Sequence, residues 1–189
     1  MERCVPPAPD RIETGRLVLR RPVDDDADAI FARYAGDAEV TRFLGWARHT
    51  SVDDTRAFLA FSARDWSQWG VGPYLVERQG EGVLIGSTGL ALETFERAAT
   101  GYVFARDAWG KGYATEALRA MVALAPSIGV RRLYALCHPL HDASRHVLEK
   151  CGFEREGVLR QYAEFPNLSP GELADVLCFS RVFYVSQRA

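Results

Sequence analysis

The stretch that decides the fold is GYVFARDAWGKGYATEA, residues 101–117. A strand pattern runs here into a loop that holds Gly110 and Gly112, and a helix pattern starts at once. Such a loop places backbone N–H groups at a helix N-terminus, and its glycines let a ligand approach closely. Lys111 adds a positive charge. The stretch therefore predicts a site for an anion such as a pyrophosphate, unless the helix start merely requires small residues.

Two other phosphate-binding motifs are absent from this loop. The pattern G-x-x-x-x-G-K-[ST] does not occur, and Thr115 stands where G-x-G-x-x-G would have its third glycine. The loop is therefore neither a Walker P-loop nor a dinucleotide-binding turn.

Outward from this stretch, hydrophobic periodicity predicts the element order β-α-α-β-β-β-α-β-α-β-β. Gly80–Glu81 is typical of a hairpin turn, Ser51 of a helix cap, and Pro126 of the end of the long central helix. This order favours an α/β fold of the mixed α+β kind, with a central, mostly antiparallel sheet of six to seven strands and helices on both faces. The predicted strands cover residues 16–22, 72–79, 82–93, 99–106, 131–138, the stretch after 152–153, and 174–185.

The composition indicates a single globular domain. The chain has 189 residues, a net charge of -2, and 48% hydrophobic residues. One domain over residues 15–189 is expected, preceded by a flexible lead-in over residues 1–14. Because there is no basic excess, no nucleic-acid partner is expected. Because there is no run of about 18 apolar residues, no membrane span is expected either.

The chain carries no clear targeting or metal-binding signal. Its N-terminus has no apolar core for a signal peptide, which favours a cytoplasmic protein. The four cysteines fit no metal-ligand spacing, and the aspartates at 24–26 are typical of a helix start, so we expect no metal site. The cysteines are Cys4, Cys137, Cys151 and Cys178.

Several segments, in order along the chain, resemble the GNAT superfamily of N-acyltransferases. The resemblance is greatest to the branch that contains the Rim-type ribosomal-protein N-terminal acetyltransferases. WGKGYATEA (109–117) is similar to the acyl-CoA loop, and SRHVLEKCGFEREG (144–157) to the branch's S-x-x-x-L-E-K-x-G-F segment. The matching segments begin with ETGRLVLRRP (13–22), continue through LIGSTGL (84–90), and end with DVLCFS (175–180). The resemblance covers most of the chain and implies a GNAT-like fold with acetyl-CoA as co-substrate.

The resemblance also implies residue roles. The loop N–H groups would cradle the CoA pyrophosphate, and the preceding strand would pair with the pantetheine arm as an added strand does. An N–H near Phe104 would stabilise the oxyanion. Ser144 resembles the serine that contacts the CoA sulfur, with a helix cap as the alternative. The implied cofactor-binding residues are Val103, Phe104, Ala105, Trp109, Gly110, Lys111, Gly112, Tyr113, Ala114, Thr115, His141 and Ser144.

The chain departs from the family pattern at three chemical positions. His141 stands where the branch usually has asparagine, so it could bind pantetheine or nothing. Leu148 stands where many members have a tyrosine that protonates the leaving thiolate. Ala99 and Thr100 stand where many relatives have a glutamate base.

Acyl transfer to an amine needs a base, because an ammonium ion cannot attack. Glu164, in QYAEF (161–165), resembles the glutamate of a Q-x-E-F segment in the Rim-type enzymes. Glu93 is an alternative base. Either carboxylate could instead be a solvated loop residue, and water could take the proton while the site supplies positioning. Ser144 and Glu164 are the predicted catalytic residues.

These observations predict an acetyl-CoA-dependent N-acetyltransferase. Direct transfer is favoured because no cysteine aligns with a covalent role. The acceptor amine would be a protein N-terminus or a small molecule, bound between loops near 43–49 and 161–172. The alternative function is a non-catalytic acyl-CoA-binding sensor or interaction module. Strands near the C-terminus leave room for a homodimer.

Overall fold

The computed structural model describes residues 6–184. Eight strands form one sheet in the order β1-β2-β3-β4-β5-β6-β8-β7. Every neighbouring pair is antiparallel except β5–β6. The strands are β1 Arg11–Glu13, β2 Leu17–Arg20, β3 Pro73–Arg78, β4 Val83–Thr94, β5 Arg97–Phe104, β6 Arg132–Cys137, β7 Glu154–Glu164 and β8 Leu173–Val182.

The predicted mixed, mostly antiparallel sheet is confirmed, with one strand more than expected. The extra strand is β1, which falls in the predicted flexible lead-in. Two long-range hydrogen bonds hold the segment before it: the N–H of Ala8 donates to Gly70 at 2.8 Å, and the hydroxyl of Tyr74 donates to the carbonyl of Pro9 at 2.6 Å. The lead-in prediction was therefore wrong for the described part of this segment, because its partners lie far away in sequence.

The helices that follow residues 24–26, Ser51 and Gly112 begin where the sequence predicts, whereas the short helix at Ala38–Thr41 was not predicted. The α-helices are α1 Ala27–Ile30, α2 Ala38–Thr41, α3 Val52–Trp69, α4 Tyr113–Ser127 and α5 Asp142–Lys150. A 3-10 turn over Asp24–Asp26 leads into α1, and a π-helical turn over Phe31–Ala35 extends it. Ser51 caps α3 by accepting from the N–H of Asp54. Within residues 6–184, no helix is long and apolar enough to cross a membrane.

Helices cover both faces of the sheet, as predicted. Side chains alternate between the faces along β3: Leu75 packs with α1 and α3, while Tyr74 and Val76 belong to the cluster on the other face. That second cluster takes its helical side chains mainly from α4, together with Leu148 of α5. The site therefore forms on a sheet that is held from both sides.

The parallel strands β5 and β6 separate soon after they meet. They pair only at Arg97–Ala99, opposite residues 132–134. Beyond this point β5 continues to Phe104 without a partner on that side, while β6 pairs with β8. The separation opens the sheet and leaves a free strand edge inside the domain.

Candidate active site

A cavity of about 770 Å³ lies along the opening between β5 and β6. Residues 99–103 of β5 form its floor together with 87–91 of β4, and 135–138 and α5 lie on one side. The predicted loop near 43–49 and the segment near 163–165 complete its walls. Both stretches predicted to bound an acceptor cavity therefore do line it.

The open edge of β5 offers unpaired backbone groups. The N–H of Ala105 donates to the carbonyl of Ile85 at 2.8 Å, so this residue bonds to β4. Because bonding direction alternates along an antiparallel strand, Thr100, Tyr102 and Phe104 direct their backbone groups to the open edge. Those groups can pair with an extended ligand.

Of the predicted segment Val103–Ala105, only Phe104 turns its backbone to the open edge. Val103 lies opposite Ser87 of β4, and its side chain lines the cavity. The indole N–H of Trp109 donates to the Phe104 carbonyl at 2.7 Å, which fixes the loop against the strand and leaves the Phe104 N–H free to face a ligand.

The loop before α4 has the geometry of an anion cradle. Gly110 and Gly112 adopt φ of 72° and 79°, a left-handed conformation that favours glycine. Gly112 begins the helix, and no described side chain caps it. The N–H groups of Tyr113, Ala114 and Thr115 are therefore available at the positive end of the helix. Lys111 is exposed beside them.

Glu116, within the same motif, has a structural role that the sequence did not reveal. It accepts hydrogen bonds from the Thr14 hydroxyl at 2.7 Å and from the Arg16 N–H at 2.8 Å, and it forms an ion pair with the Arg16 guanidinium. Burial opposes ionisation, but these donors lower the pKa of Glu116 overall. Arg16 also donates to the Lys111 carbonyl at 3.0 Å, so the N-terminal segment supports the loop.

Ser144 lies on the cavity wall, and a tyrosine that the sequence analysis missed lies beside it. The hydroxyl of Tyr102 is 2.9 Å from Ser144 Oγ and donates to the Ser144 carbonyl at 3.0 Å. Burial raises the pKa of Tyr102, so it stays protonated at neutral pH. His141, not Ser144, occupies the position before the first turn of α5, so the helix-cap alternative for Ser144 is wrong.

His141 and His138 also face the cavity. The ring of His141 stacks on Phe43 with centroids 4.8 Å apart. His138 packs edge-on against Phe165, and its Nδ1 accepts from the Leu140 N–H at 3.1 Å. Burial lowers the pKa of both imidazoles. These rings therefore act as neutral, largely apolar walls.

The two candidate bases lie outside the cavity lining. Glu164 is exposed, and its Oε1 accepts from the Gly171 N–H at 2.8 Å. Its neighbours Ala163 and Phe165 line the cavity, so alternation turns Glu164 the other way. Glu93 pairs with Arg97 and accepts from the Tyr134 hydroxyl. This geometry does not support either carboxylate as the base, and that role stays a prediction.

Asn167 joins the two acceptor loops. Its side-chain nitrogen donates to the carbonyls of Thr41 and Trp46, each at 2.8 Å, and its oxygen accepts from the Arg48 N–H at 2.7 Å. The Asn167 amide therefore links the segment near 41–48 to the segment that follows β7. Across residues 6–184, no group of three His, Cys, Asp or Glu side chains is placed to hold a metal ion.

A free strand edge next to an uncapped helix N-terminus suits an extended, anionic ligand. The family model described as an acetyltransferase (GNAT) domain matches residues 16–154. The chain therefore belongs to the GNAT acetyltransferases. As a member of that family it is an acetyl-CoA-dependent N-acetyltransferase, and acetyl-CoA is its co-substrate.

One relative agrees with this assignment, and two solved structures share the fold. The N-acetyltransferase YoaA of Bacillus subtilis (strain 168), itself uncharacterized, is 35% identical over 159 residues, which is 80% of this chain and 86% of YoaA. The microcin C7 self-immunity acetyltransferase MccE, solved with acetyl-CoA and AMP, has a TM-score of 0.81 at 19% identity, covering 93% of this chain and 98% of MccE. The ribosomal L7/L12 acetyltransferase RimL, solved with coenzyme A, has a TM-score of 0.77 at 22% identity, covering 90% and 96%.

Proposed function

We propose that this enzyme transfers the acetyl group of acetyl-CoA directly to a primary amine of a protein N-terminus or a small molecule. One observation carries the proposal: a single cavity reaches from the open edge of β5 to the acceptor loops, with the Tyr102 and Ser144 hydroxyls on its wall. Free thiol release with a panel of amines tests it. Acetyl-CoA binding without thiol release from any amine would favour the sensor alternative.

The chain's own groups fit the co-substrate. The pantetheine arm would pair with the open backbone edge of β5, which needs no particular side chain. The pyrophosphate would accept hydrogen bonds from the N–H groups that begin α4. A Cβ added at Gly112 would lie 3.5 Å from the Arg16 guanidinium, so the absence of a side chain leaves this space open. The Phe104 N–H would donate to the thioester oxygen and stabilise its developing charge.

The hydroxyl pair would serve the leaving group. In the transfer a nitrogen–carbon bond forms, the carbon–sulfur bond breaks, and the CoA sulfur gains a proton. Tyr102 would donate that proton, with Ser144 hydrogen-bonded beside it. It would thus take the role that a tyrosine at the position of Leu148 has in many family members. The ammonium form of the acceptor loses one proton before attack and the attacking nitrogen loses a second, to Glu164, Glu93 or water.

Ser144→Ala tests the smaller part of this pair. We expect kcat to fall about 10- to 100-fold, the effect of one hydrogen bond to a developing charge. The affinity for acetyl-CoA, measured by calorimetry, should change less than about twofold, since the interaction belongs to the transition state. A variant with wild-type kcat would remove Ser144 from the mechanism.

Glu164→Gln tests the predicted base. A general base would lose roughly 10²–10⁴-fold in rate on this change. Because Glu164 faces away from the cavity and binds the Gly171 N–H, we expect a rate change of threefold or less, with Glu93→Gln measured alongside. A loss near 100-fold in Glu164→Gln alone would restore Glu164 as the base.

We also propose that the enzyme is cytoplasmic and forms a homodimer. The free edge strand β7, which exposes Val158, Leu159 and Tyr162, would be the surface of a homodimer. Sedimentation velocity would measure that assembly, and a monomer at high concentration would contradict it.

A further inference from the structure

The acceptor cavity contains negative charge and no positive side chain. Among its lining residues, all within the described part of the chain, the charged side chains are Asp54 and Asp65, and no lysine or arginine occurs. Burial lowers the pKa values of His49, His138 and His141, so these rings are neutral at pH 7. An anionic acceptor would find no cationic side chain in the lining itself, and the nearby Arg42 guanidinium lies over the ring of Phe43, 5.1 Å from its centroid.

Only one of the two carboxylates is free to bind a ligand. Asp54 Oδ2 accepts from the N–H groups of Thr50 and Ser51 at 2.8 and 3.1 Å, which completes the cap of α3. Asp65 makes no hydrogen bond or ion pair with another described residue. Burial raises the pKa of Asp65, and the charge of Arg64 opposes this shift.

Asp65 lies on an aromatic face of α3. Asp54, Phe58, Phe61 and Asp65 are spaced by four, three and four residues, so they share one side of the helix, and all four line the cavity. Opposite them, the sheet presents small side chains that leave room for a ligand. These floor residues are Ser87, Gly89, Ala91, Ala99 and Gly101.

We propose that the acceptor is a primary amine on an apolar, ring-sized body that carries no acidic group, and that Asp65 pairs with the ammonium form when the acceptor binds, before the proton loss that precedes attack. The inference rests on the proposed transferase function and narrows its acceptor class. Phe58 and Phe61 would cover the apolar body, and aromatic faces also attract cations. A carboxylate or phosphate on the acceptor would be buried unpaired beside Asp65, which is costly.

Matched ligands test the charge requirement. Tryptophan, tryptophanamide and tryptamine share a ring and an amine, and the amide has nearly the size of the carboxylate without its charge. Phenylalanine and leucine provide the same three-member series. Affinity is measured by calorimetry on the protein saturated with CoA, and kcat/KM by thiol release with acetyl-CoA. We expect the amide and the simple amine of at least one series to exceed the acid about 100-fold or more.

A second test changes the protein. We expect Asp65→Asn to weaken binding of the preferred amine at least about tenfold and to reduce discrimination against the acid, with acetyl-CoA affinity unchanged. Asp53→Asn is the matched control: it removes the same charge from the same helix, but Asp53 is exposed and pairs with Arg56 at 2.6 Å. The control should retain wild-type affinity and discrimination.

The readouts separate two kinds of failure. Three results would each overturn the inference. They are acids that bind as tightly as their amides, no binding by any of the amides or simple amines, and equal affinities of Asp65→Asn and Asp53→Asn for the preferred amine. Thiol release with acidic acceptors would also overturn the inferred acceptor class, but it would agree with the transferase function. If the amines bind to the CoA complex as expected but no amine releases thiol, the transferase function fails and the binding preference of the cavity stands.

Discussion

In Gly112→Asp we expect acetyl-CoA binding to weaken more than about 100-fold, measured by calorimetry. The new carboxylate would lie where the α4 N–H groups face the pyrophosphate, and two like charges about 4 Å apart repel by about 4 kcal/mol at an effective dielectric of 20. Gly112 has a φ of 79°, so the substitution also strains the loop backbone.

Two control variants isolate the electrostatic part of that effect. Gly112→Ala adds the backbone strain without charge and should lose less affinity. Gly80→Asp makes the same substitution at a φ of 81° in the β3–β4 turn, where an added Cβ meets nothing within 4 Å. It should bind acetyl-CoA normally. Wild-type affinity in a folded Gly112→Asp protein would refute the assignment of the loop.

The second large effect is expected in Tyr102→Phe. Loss of the proton donor to the thiolate should lower kcat by about 100-fold or more, the usual size of general acid catalysis. Acetyl-CoA affinity should change less than about threefold, because the aromatic ring and the open strand edge remain. The double variant with Ser144→Ala should be less than multiplicative, since the two hydroxyls are 2.9 Å apart and act together.

Tyr162→Phe is the control for the phenol itself. Tyr162 is 56% exposed on β7 and does not line the cavity, so its hydroxyl should be dispensable. A large kcat loss in Tyr162→Phe, with normal kcat in Tyr102→Phe, would transfer the role of proton donor to Tyr162. Circular dichroism and thermal unfolding on both variants exclude misfolding as the cause of a rate loss.

Some parts of the fold around the site could be predicted from local sequence signals. The glycines of the loop, the helix that follows, and the cap at Ser51 are each set by interactions within a few residues. The mixed sheet and the helices on both of its faces also follow from periodicity and element order, whereas the position of β8 between β6 and β7 was not predicted. What such signals cannot supply is the register between distant strands, and register decides which groups face the opening.

Tyr102 shows this limit. It follows Gly101 in the motif that the sequence analysis singled out, yet its partner Ser144 is 42 residues away. Glu164 shows the same limit for a residue that the sequence did predict as part of the site. The pairing of β7 with β8 shifts between Leu159 and Ala163, near Gln161 at a φ of 46°. Over this irregularity β7 advances from Leu159 to Ala163 while β8 advances only from Val176 to Ala174. Nothing in QYAEF marks where regular pairing resumes before Glu164.

The early separation of β5 from β6 has a consequence for how such a chain changes over generations. Main-chain atoms are the same whichever side chain stands at a position, so an edge that binds through them makes no demand on the side chains of β5 beyond the Tyr102 hydroxyl and ordinary packing. The acceptor walls, in contrast, consist mainly of side chains from α3 and from the segments near 43–49 and 163–165. Mutations in the walls can therefore change the acceptor specificity while the binding of acetyl-CoA is retained.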